Sequence, residues 1–162
     1  VLMASNFSWW GFKTRDELLV AAWDGVPADM LGEVAALFDE RVNRPPIETI
    51  TAAIAIVVDR IARDPGRAHI LLAQHVGSSP LQDRRAVALQ EATQLVVEAT
   101  RPHLRQDADE MALRMDTLIA VGGFVEVITA WHSGLLAVTE KEVVAHTSRL
   151  AETLAQRYVI SD

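Results

Sequence analysis

The sequence predicts an all-α protein folded as an antiparallel helical bundle. Ala, Leu, Glu, Arg and Gln dominate its composition, and these residue types favour helices. Apolar residues recur at spacings of three and four along most of the chain, which is the repeat of an amphipathic helix. No segment alternates apolar and polar residues convincingly enough to indicate a β-strand. Sharp breaks leave only short connections between the periodic segments, and short connections favour antiparallel neighbours.

The first breaks separate three predicted helices. Thr14 and Glu17 have the spacing of a capping box, in which each side chain accepts from the backbone N–H of the other residue. Gly25-Val26-Pro27 interrupts the pattern that follows, and Pro27 suits the first position of a second helix. Asn43-Arg44-Pro45-Pro46 ends that helix and starts the third.

The middle of the chain contains three further boundaries. Asp64-Pro65-Gly66 and Gly77-Ser78-Ser79-Pro80 are expected to be helix-to-helix turns, with Ser79 as an N-cap. Arg101-Pro102 stops a long helix. Asp107 is expected to open the next one, because an acidic side chain is favourable at a helix N-terminus.

A second capping box precedes the last helix. Gly134 ends the sixth predicted helix, and Thr139 with Glu142 opens the seventh. We therefore predict about seven helices, at residues 14–24, 27–43, 46–63, 65–76, 80–101, 107–133 and 139–159.

Composition limits the functions that this chain can carry. Its 162 residues suit one domain with a substantial core, and no stretch is typical of a membrane span or a secretory signal. The absence of cysteine excludes disulfides and thiolate metal sites, and it fits a reducing cytoplasm, where we expect the protein. The net charge is −7, and Lys13 and Lys141 are the only lysines. Without a basic patch, we expect the chain itself to bind DNA poorly.

The last two predicted helices indicate a dimer. Between Leu118 and Trp131 only Glu126 and Thr129 are neither apolar nor glycine, so this helix needs covering on all sides. Gly122-Gly123 would let another backbone approach closely. An internal hairpin is the alternative, but we favour a four-helix seam between two copies. The residues expected at this interface are Leu118, Val121, Gly122, Val125, Thr129, His132, Val143, Thr147, Leu150 and Leu154.

One N-terminal segment carries a family resemblance. Residues 7–19 read Phe-Ser-Trp-Trp-Gly-Phe-Lys-Thr-Arg-Asp-Glu-Leu-Leu, an aromatic cluster followed by a basic turn and a helix start. This order resembles the junction in tetracycline-repressor-type (TetR-type) transcription regulators, where the DNA-recognition helix leads into the ligand-binding domain. Residues 64–72, 120–124 and 131–142 are similar to later parts of that family. The helices of the usual N-terminal helix-turn-helix are largely missing here.

The resemblance implies an organisation and a function. Residues 1–13 would be the remnant of the DNA-binding domain and its junction, and residues 14–162 the ligand-binding and dimerisation domain. Such a domain senses a small apolar effector, and the full-length protein is expected to be a homodimeric repressor. DNA would be bound only through the missing helix-turn-helix, with Lys13 and Arg15 near a phosphate. No cofactor and no membrane contact are expected.

In the resemblance, the ligand cavity lies between the helices at 14–43, 46–63, 80–101 and 107–133. Any one apolar residue there is more often ordinary core than pocket lining. The candidate ligand-binding residues are Trp23, Met30, Phe38, Ile54, Val58, Leu72, His75, Leu89, Thr93, Val97, Met115 and Phe124.

Catalytic and metal-binding signatures are missing. The chain has no Gly-rich phosphate loop, no Gly-x-Ser-x-Gly elbow and no Glu-x-x-His pair of the kind that di-metal bundles use. Glu142 and His146 share a helix face, but an exposed surface pair is favoured over a metal site. We therefore expect no metal and no enzyme. The alternative to a regulator is a standalone helical protein–protein interaction module.

Overall fold

Six α-helices and one short 3₁₀ turn make up the helical structure of the described residues. The computed structural model describes residue 11, residues 14–73 and residues 78–160. In these residues the only β pairing is an isolated antiparallel bridge between Leu104 and Val159, so the all-α class is confirmed. The helices are α1 (Arg15–Glu40), α2 (Pro46–Arg63), α3 (Pro65–Leu72), α4 (Ser79–Thr100), α5 (Glu110–His132) and α6 (Glu140–Ala155), with the 3₁₀ turn at Arg101–His103.

Helix α1 joins two helices that the sequence predicted to be separate. Pro27 lies inside α1, where it cannot donate to the carbonyl of Trp23. Trp23, Val26 and Pro27 are all buried, so apolar packing on both sides of the proline offsets the lost hydrogen bond. The described residues therefore form six α-helices where about seven were predicted.

Several predicted caps form, and two are displaced. Ser78 rather than Ser79 is the N-cap of α4, because Ser79 is already the first residue of that helix. The Thr14 hydroxyl accepts from the N–H of Glu17 at 3.1 Å. Asp109 rather than Asp107 caps α5, because its carboxylate accepts from the N–H groups of Met111 at 2.8 Å and Ala112 at 3.0 Å. The start of α5 therefore lies three residues later than predicted.

Helix α2 lies at the centre of the bundle and packs against all five other α-helices. Its Val58 is 0% exposed and belongs to a core cluster that joins α2, α3, α5 and α6. Helix α6 makes its most extensive contacts with α2. Helix α4 makes its most extensive contacts with α5. Full burial of an aliphatic side chain contributes about 1.5–3 kcal/mol, so these clusters dominate the stability of the bundle.

The C-terminal segment closes one end of the bundle. The carbonyl of Tyr158 accepts from the N–H of Arg105 at 2.9 Å, and the N–H of Ile160 donates to the carbonyl of His103 at 3.2 Å. Tyr158 also packs with Val97 and Leu113, so the segment after α6 is held by both backbone pairing and apolar contact. This is why α6 ends at Ala155 rather than continuing to residue 159 as predicted.

Helix α1 is tied to its neighbours by surface ion pairs. Asp24 lies 3.2 Å from Arg84 on α4, Asp29 pairs with Arg67 on α3 at 2.5 Å, and Glu33 pairs with Arg60 on α2 at 2.8 Å. The hydrogen bond from Arg60 holds the pKa of Glu33 below its ordinary value. Exposed pairs of this kind are worth about 0–1 kcal/mol each, so they orient α1 more than they stabilise it. No helix in the described part of the chain is both long enough and apolar enough to cross a membrane.

The capping box at the start of α6 is complete and predicts a pH dependence. Glu142 Oε2 accepts from the N–H of Thr139 at 2.7 Å and from its hydroxyl at 2.8 Å, and these bonds lower the pKa of Glu142 below its ordinary 4.5. The folded state thus favours the ionised carboxylate. The stability that the ionised Glu142 side chain contributes is complete at pH values above its ordinary pKa of 4.5. This stability is lost as the pH falls through the lower pKa of the folded state.

We therefore expect Glu142→Gln to be less stable than the wild type at pH 7 and equally stable at strongly acidic pH. Urea unfolding as a function of pH measures the difference. Glu140→Gln, in the same first turn, controls for general attraction between a carboxylate and the helix N-terminus. A difference in the free energy of unfolding between wild type and Glu142→Gln that does not change with pH would contradict this account.

A candidate ligand cavity

An apolar cavity of about 390 Å³ lies inside the bundle. Its walls come from single faces of α1, α2, α4 and α6, from α5 and from the end of α3. On α4, for example, the lining residues follow a helical repeat of three and four positions along one face. These residues are Arg85, Ala88, Leu89, Ala92, Leu95, Val96 and Thr100.

Small residues explain why this space is not filled. Eight lining positions carry alanine or glycine, so the helix faces meet without enough side-chain volume to close the gap between them. A Cβ placed on Gly122 or Gly123 would contact nothing within 4 Å. The small lining residues are Ala53, Ala88, Ala92, Ala120, Gly122, Gly123, Ala151 and Ala155.

The large residues of the wall are mostly aliphatic or aromatic, and several of its polar groups are satisfied within the chain. The hydroxyl of Thr100 donates to the carbonyl of Val96 at 2.8 Å, and that of Thr147 donates to the carbonyl of Val143 at 2.7 Å. The middle of the cavity therefore presents little that would bind a charged molecule. The indole N–H of Trp23, also a lining residue, is buried without a hydrogen-bond partner among the described residues.

Two acidic residues of the cavity wall lie on α5. Glu126, in the second half of this helix, forms an ion pair with Arg85 at 2.8 Å. Asp116, toward the start of α5, accepts from the hydroxyl of Tyr158 at 2.5 Å and from Arg157 at 2.9 Å. At 1.5 Å per residue, Asp116 and Glu126 lie about 15 Å apart along the helix axis. The cavity is therefore elongated, with a polar group toward each end.

The cavity reaches the surface between α5 and α6. Gly123 and Glu126 on α5, with His146 and Leu150 on α6, line the cavity and are exposed. A small molecule would therefore have an entrance on this side. The opening also places His146 beside the cavity, although Glu142, its expected companion, is used by the capping box. No group of three or more metal-ligating side chains occurs among the residues that the structure describes.

Seven of the twelve candidate ligand-binding residues line the cavity, and four do not. Val58 and Val97 are buried in core clusters, and the hydroxyl of Thr93 bonds the carbonyl of Leu89 at 2.7 Å. Met115 is 54% exposed on the outside of α5. His75 lies outside the described residues. The seven that line the cavity are Trp23, Met30, Phe38, Ile54, Leu72, Leu89 and Phe124.

The residues that α6 contributes to the wall were missed as pocket residues. Four residues of α6 are predicted for a dimer seam, and in the structure the apolar face of this helix packs on α2 and borders the cavity. Alanine at repeated positions of that face was the available signal, because it shortens the side chains where two helices meet. These missed lining residues are His146, Thr147, Leu150, Ala151, Leu154 and Ala155.

The residues predicted for a dimer seam fall into four groups. Leu118 and His132 are exposed, and Val143 and Thr147 are already buried within the chain. Thr129 is half-buried, and its hydroxyl donates to the carbonyl of Val125 at 2.7 Å. The others, which line the cavity, are Val121, Gly122, Val125, Leu150 and Leu154.

An apolar surface that the sequence did not single out runs along the outside of α5. Met111, Met115, Leu118 and Ile119 follow the spacing of one helix face, and all four are exposed, with Ile119 at 70%. We call these four residues the outer face of α5.

Of the two residues expected near DNA, Lys13 lies outside the described residues, and Arg15 begins α1 without a described side chain. Most of the predicted junction, residues 7–13, is likewise outside them. No family model, no curated protein and no solved structure matches this chain. Function is therefore inferred from the cavity and from the outer face of α5.

Proposed function

We propose that this chain is the effector-sensing and dimerisation part of a TetR-type transcription regulator, acting in the cytoplasm as a homodimer, with repression as the expected output. The observation that carries the proposal is the cavity of about 390 Å³ with almost wholly apolar walls. Ligand sites in proteins have about this size, between roughly 300 and 1,000 Å³, and combine apolar walls with a few polar groups.

The walls favour a small apolar effector. A compound that buries about 250 Å² of apolar surface gains roughly 6 kcal/mol, at about 25 cal/mol per Å², before the cost of immobilising it. The polar groups of the wall include Asp116 with Tyr158, Arg85 with Glu126, and the unpartnered indole N–H of Trp23. Shape and apolar contact would therefore set affinity, and these few groups would set orientation.

Helix α1 offers a route from the cavity to a DNA-binding domain placed before it. Trp23, Pro27 and Met30 are among six α1 residues that line the cavity, so a ligand would press directly on this helix. The ion pairs that orient α1 are exposed and cost little to rearrange. A ligand that binds one position of α1 better than another shifts their populations, with a typical coupling of about 1–3 kcal/mol.

The outer face of α5 supports the proposed dimer. Its four exposed apolar side chains repeat along one helix face and form the kind of patch that marks an interaction site.

We expect the wild-type chain to bind uncharged apolar compounds in a thermal-shift screen. A compound at one hundred times its Kd stabilises by about 2.7 kcal/mol, which raises Tm by about 5–10 °C for a chain of this size. Ala92→Phe places a ring in the cavity and should abolish that shift, because the ligand then has no space.

The matched control is Ala86→Phe, which lies on the exposed side of the same helix and should leave the ligand shift unchanged. Absence of a shift with every apolar compound tested would refute the sensing proposal. Equal shifts in wild type and Ala92→Phe would place the ligand elsewhere on the protein.

We expect the wild type to be a dimer at micromolar concentration and Ile119→Glu to be a monomer, because the substitution buries a charge in the proposed interface. Light scattering gives the mass of each. Val87→Glu is the control, since Val87 is an exposed apolar residue on α4. A monomeric wild type, or a dimeric Ile119→Glu, would contradict the proposed interface.

A standalone protein–protein interaction module is the second candidate, and the outer face of α5 is the observation that favours it. A standalone module would be a monomer whose stability does not change with apolar compounds. The proposed regulator would be a dimer whose stability rises when such a compound binds.

A further inference from the structure

Three side chains form a polar cluster at the cavity end near the start of α5. Asp116 and Tyr158 both line the cavity, and the Tyr158 hydroxyl donates to Asp116 Oδ2 at 2.5 Å. Arg157 donates to the same oxygen at 2.9 Å, and its guanidinium also lies 5.8 Å from the centre of the Tyr158 ring. One carboxylate oxygen thus receives two donors.

The second oxygen of this carboxylate is available. Among the hydrogen bonds of the described residues, none uses Asp116 Oδ1, although the side chain is only 24% exposed. The hydrogen bond to Asp116 and burial both raise the pKa of Tyr158, so this phenol stays protonated as a donor to Oδ2. The cluster therefore presents an ionised acceptor, held in place by two neighbours, at the end of an apolar cavity.

We propose that the cavity selects an uncharged apolar molecule carrying a single hydroxyl or N–H group, which donates a hydrogen bond to Asp116 Oδ1. This inference rests on the proposed function and narrows its effector to a class such as alkylphenols or apolar alcohols. Hydrogen bonds to ionised acceptors in surroundings of low polarity are stronger than bonds between neutral groups.

The charges around Asp116 exclude ionised ligands. The Arg157 guanidinium already compensates the carboxylate, so an ammonium group would gain little attraction while losing its hydration. A ligand carboxylate would meet Asp116 itself and also lose its hydration. A neutral donor avoids both penalties.

The other polar group of the cavity offers less selectivity. Glu126 and Arg85 already satisfy each other at 2.8 Å, and the Glu126 side chain is 64% exposed. Water therefore screens this pair and competes with any ligand group that approaches it. The unpartnered indole N–H of Trp23 can only donate, so recognition of a hydrogen-bond donor on the ligand is assigned to the Asp116 end.

Three matched probes test the proposal by titration calorimetry on the wild-type chain: 4-propylphenol, 4-propylanisole and propylbenzene. The phenol and the anisole both carry an oxygen, but only the phenol can donate. Because one hydrogen bond to a charged acceptor is involved, we expect the phenol to bind about tenfold more tightly than either other probe. Equal affinities would overturn this inference and leave the apolar cavity intact as a site. Failure of all three to bind would overturn the proposed function as well.

Two variants separate recognition from a purely structural role of Asp116. Asp116→Asn keeps an oxygen for the donors Tyr158 and Arg157 and turns its amide NH₂ toward the ligand. The amide can donate to the phenol and the anisole oxygen alike, so the phenol should lose its advantage over the anisole while propylbenzene affinity is kept. Asp107→Asn removes an exposed carboxylate that does not line the cavity, so the phenol should keep its advantage. A uniform loss of affinity for all three probes in Asp116→Asn would show that this residue only supports the fold, and the proposal would fail.

Discussion

The bundle depends on the packing of the other helices around α2. This helix contacts all five of the other α-helices, and Val58 at its centre has no exposed surface. Helix α6 covers one side of it, while α4 and α5 pack chiefly on each other. Because α5 is held by α4 and contacts α2 only lightly, a space is left between them. The cavity follows from this division of contacts.

Small side chains keep that space open. Ala53 on α2, with Ala88 and Ala92 on α4, lies where larger residues would meet across the bundle. An unfilled cavity costs roughly 24 cal/mol per Å³ when it is created by truncating core residues, so leaving this volume empty lowers stability. Ligand binding would be a physical reason for the chain to keep a cavity that lowers its stability.

Local patterns in the sequence predicted local structure well. The capping box of Thr139 and Glu142 forms as expected, and the all-α class follows from periodicity. Pro27 is the exception, because a proline predicts a helix boundary unless tertiary packing outweighs its missing hydrogen bond. Periodicity also identifies which residues share a face but not which helix that face meets. For this reason the sequence predicts Val58 and Met115 in a cavity that neither lines, and it does not predict that α6 forms part of the wall.

The central claim is that an empty apolar cavity lies between α2 and α5, and xenon tests it most directly. Xenon binds apolar cavities without needing hydrogen bonds, so it detects empty space whatever the natural ligand is. In a crystal of this chain under xenon pressure, the account predicts xenon density inside the bundle, in contact with Leu89 and Phe124. Density confined to the molecular surface, with Leu89 and Phe124 packed directly onto α2, would contradict it.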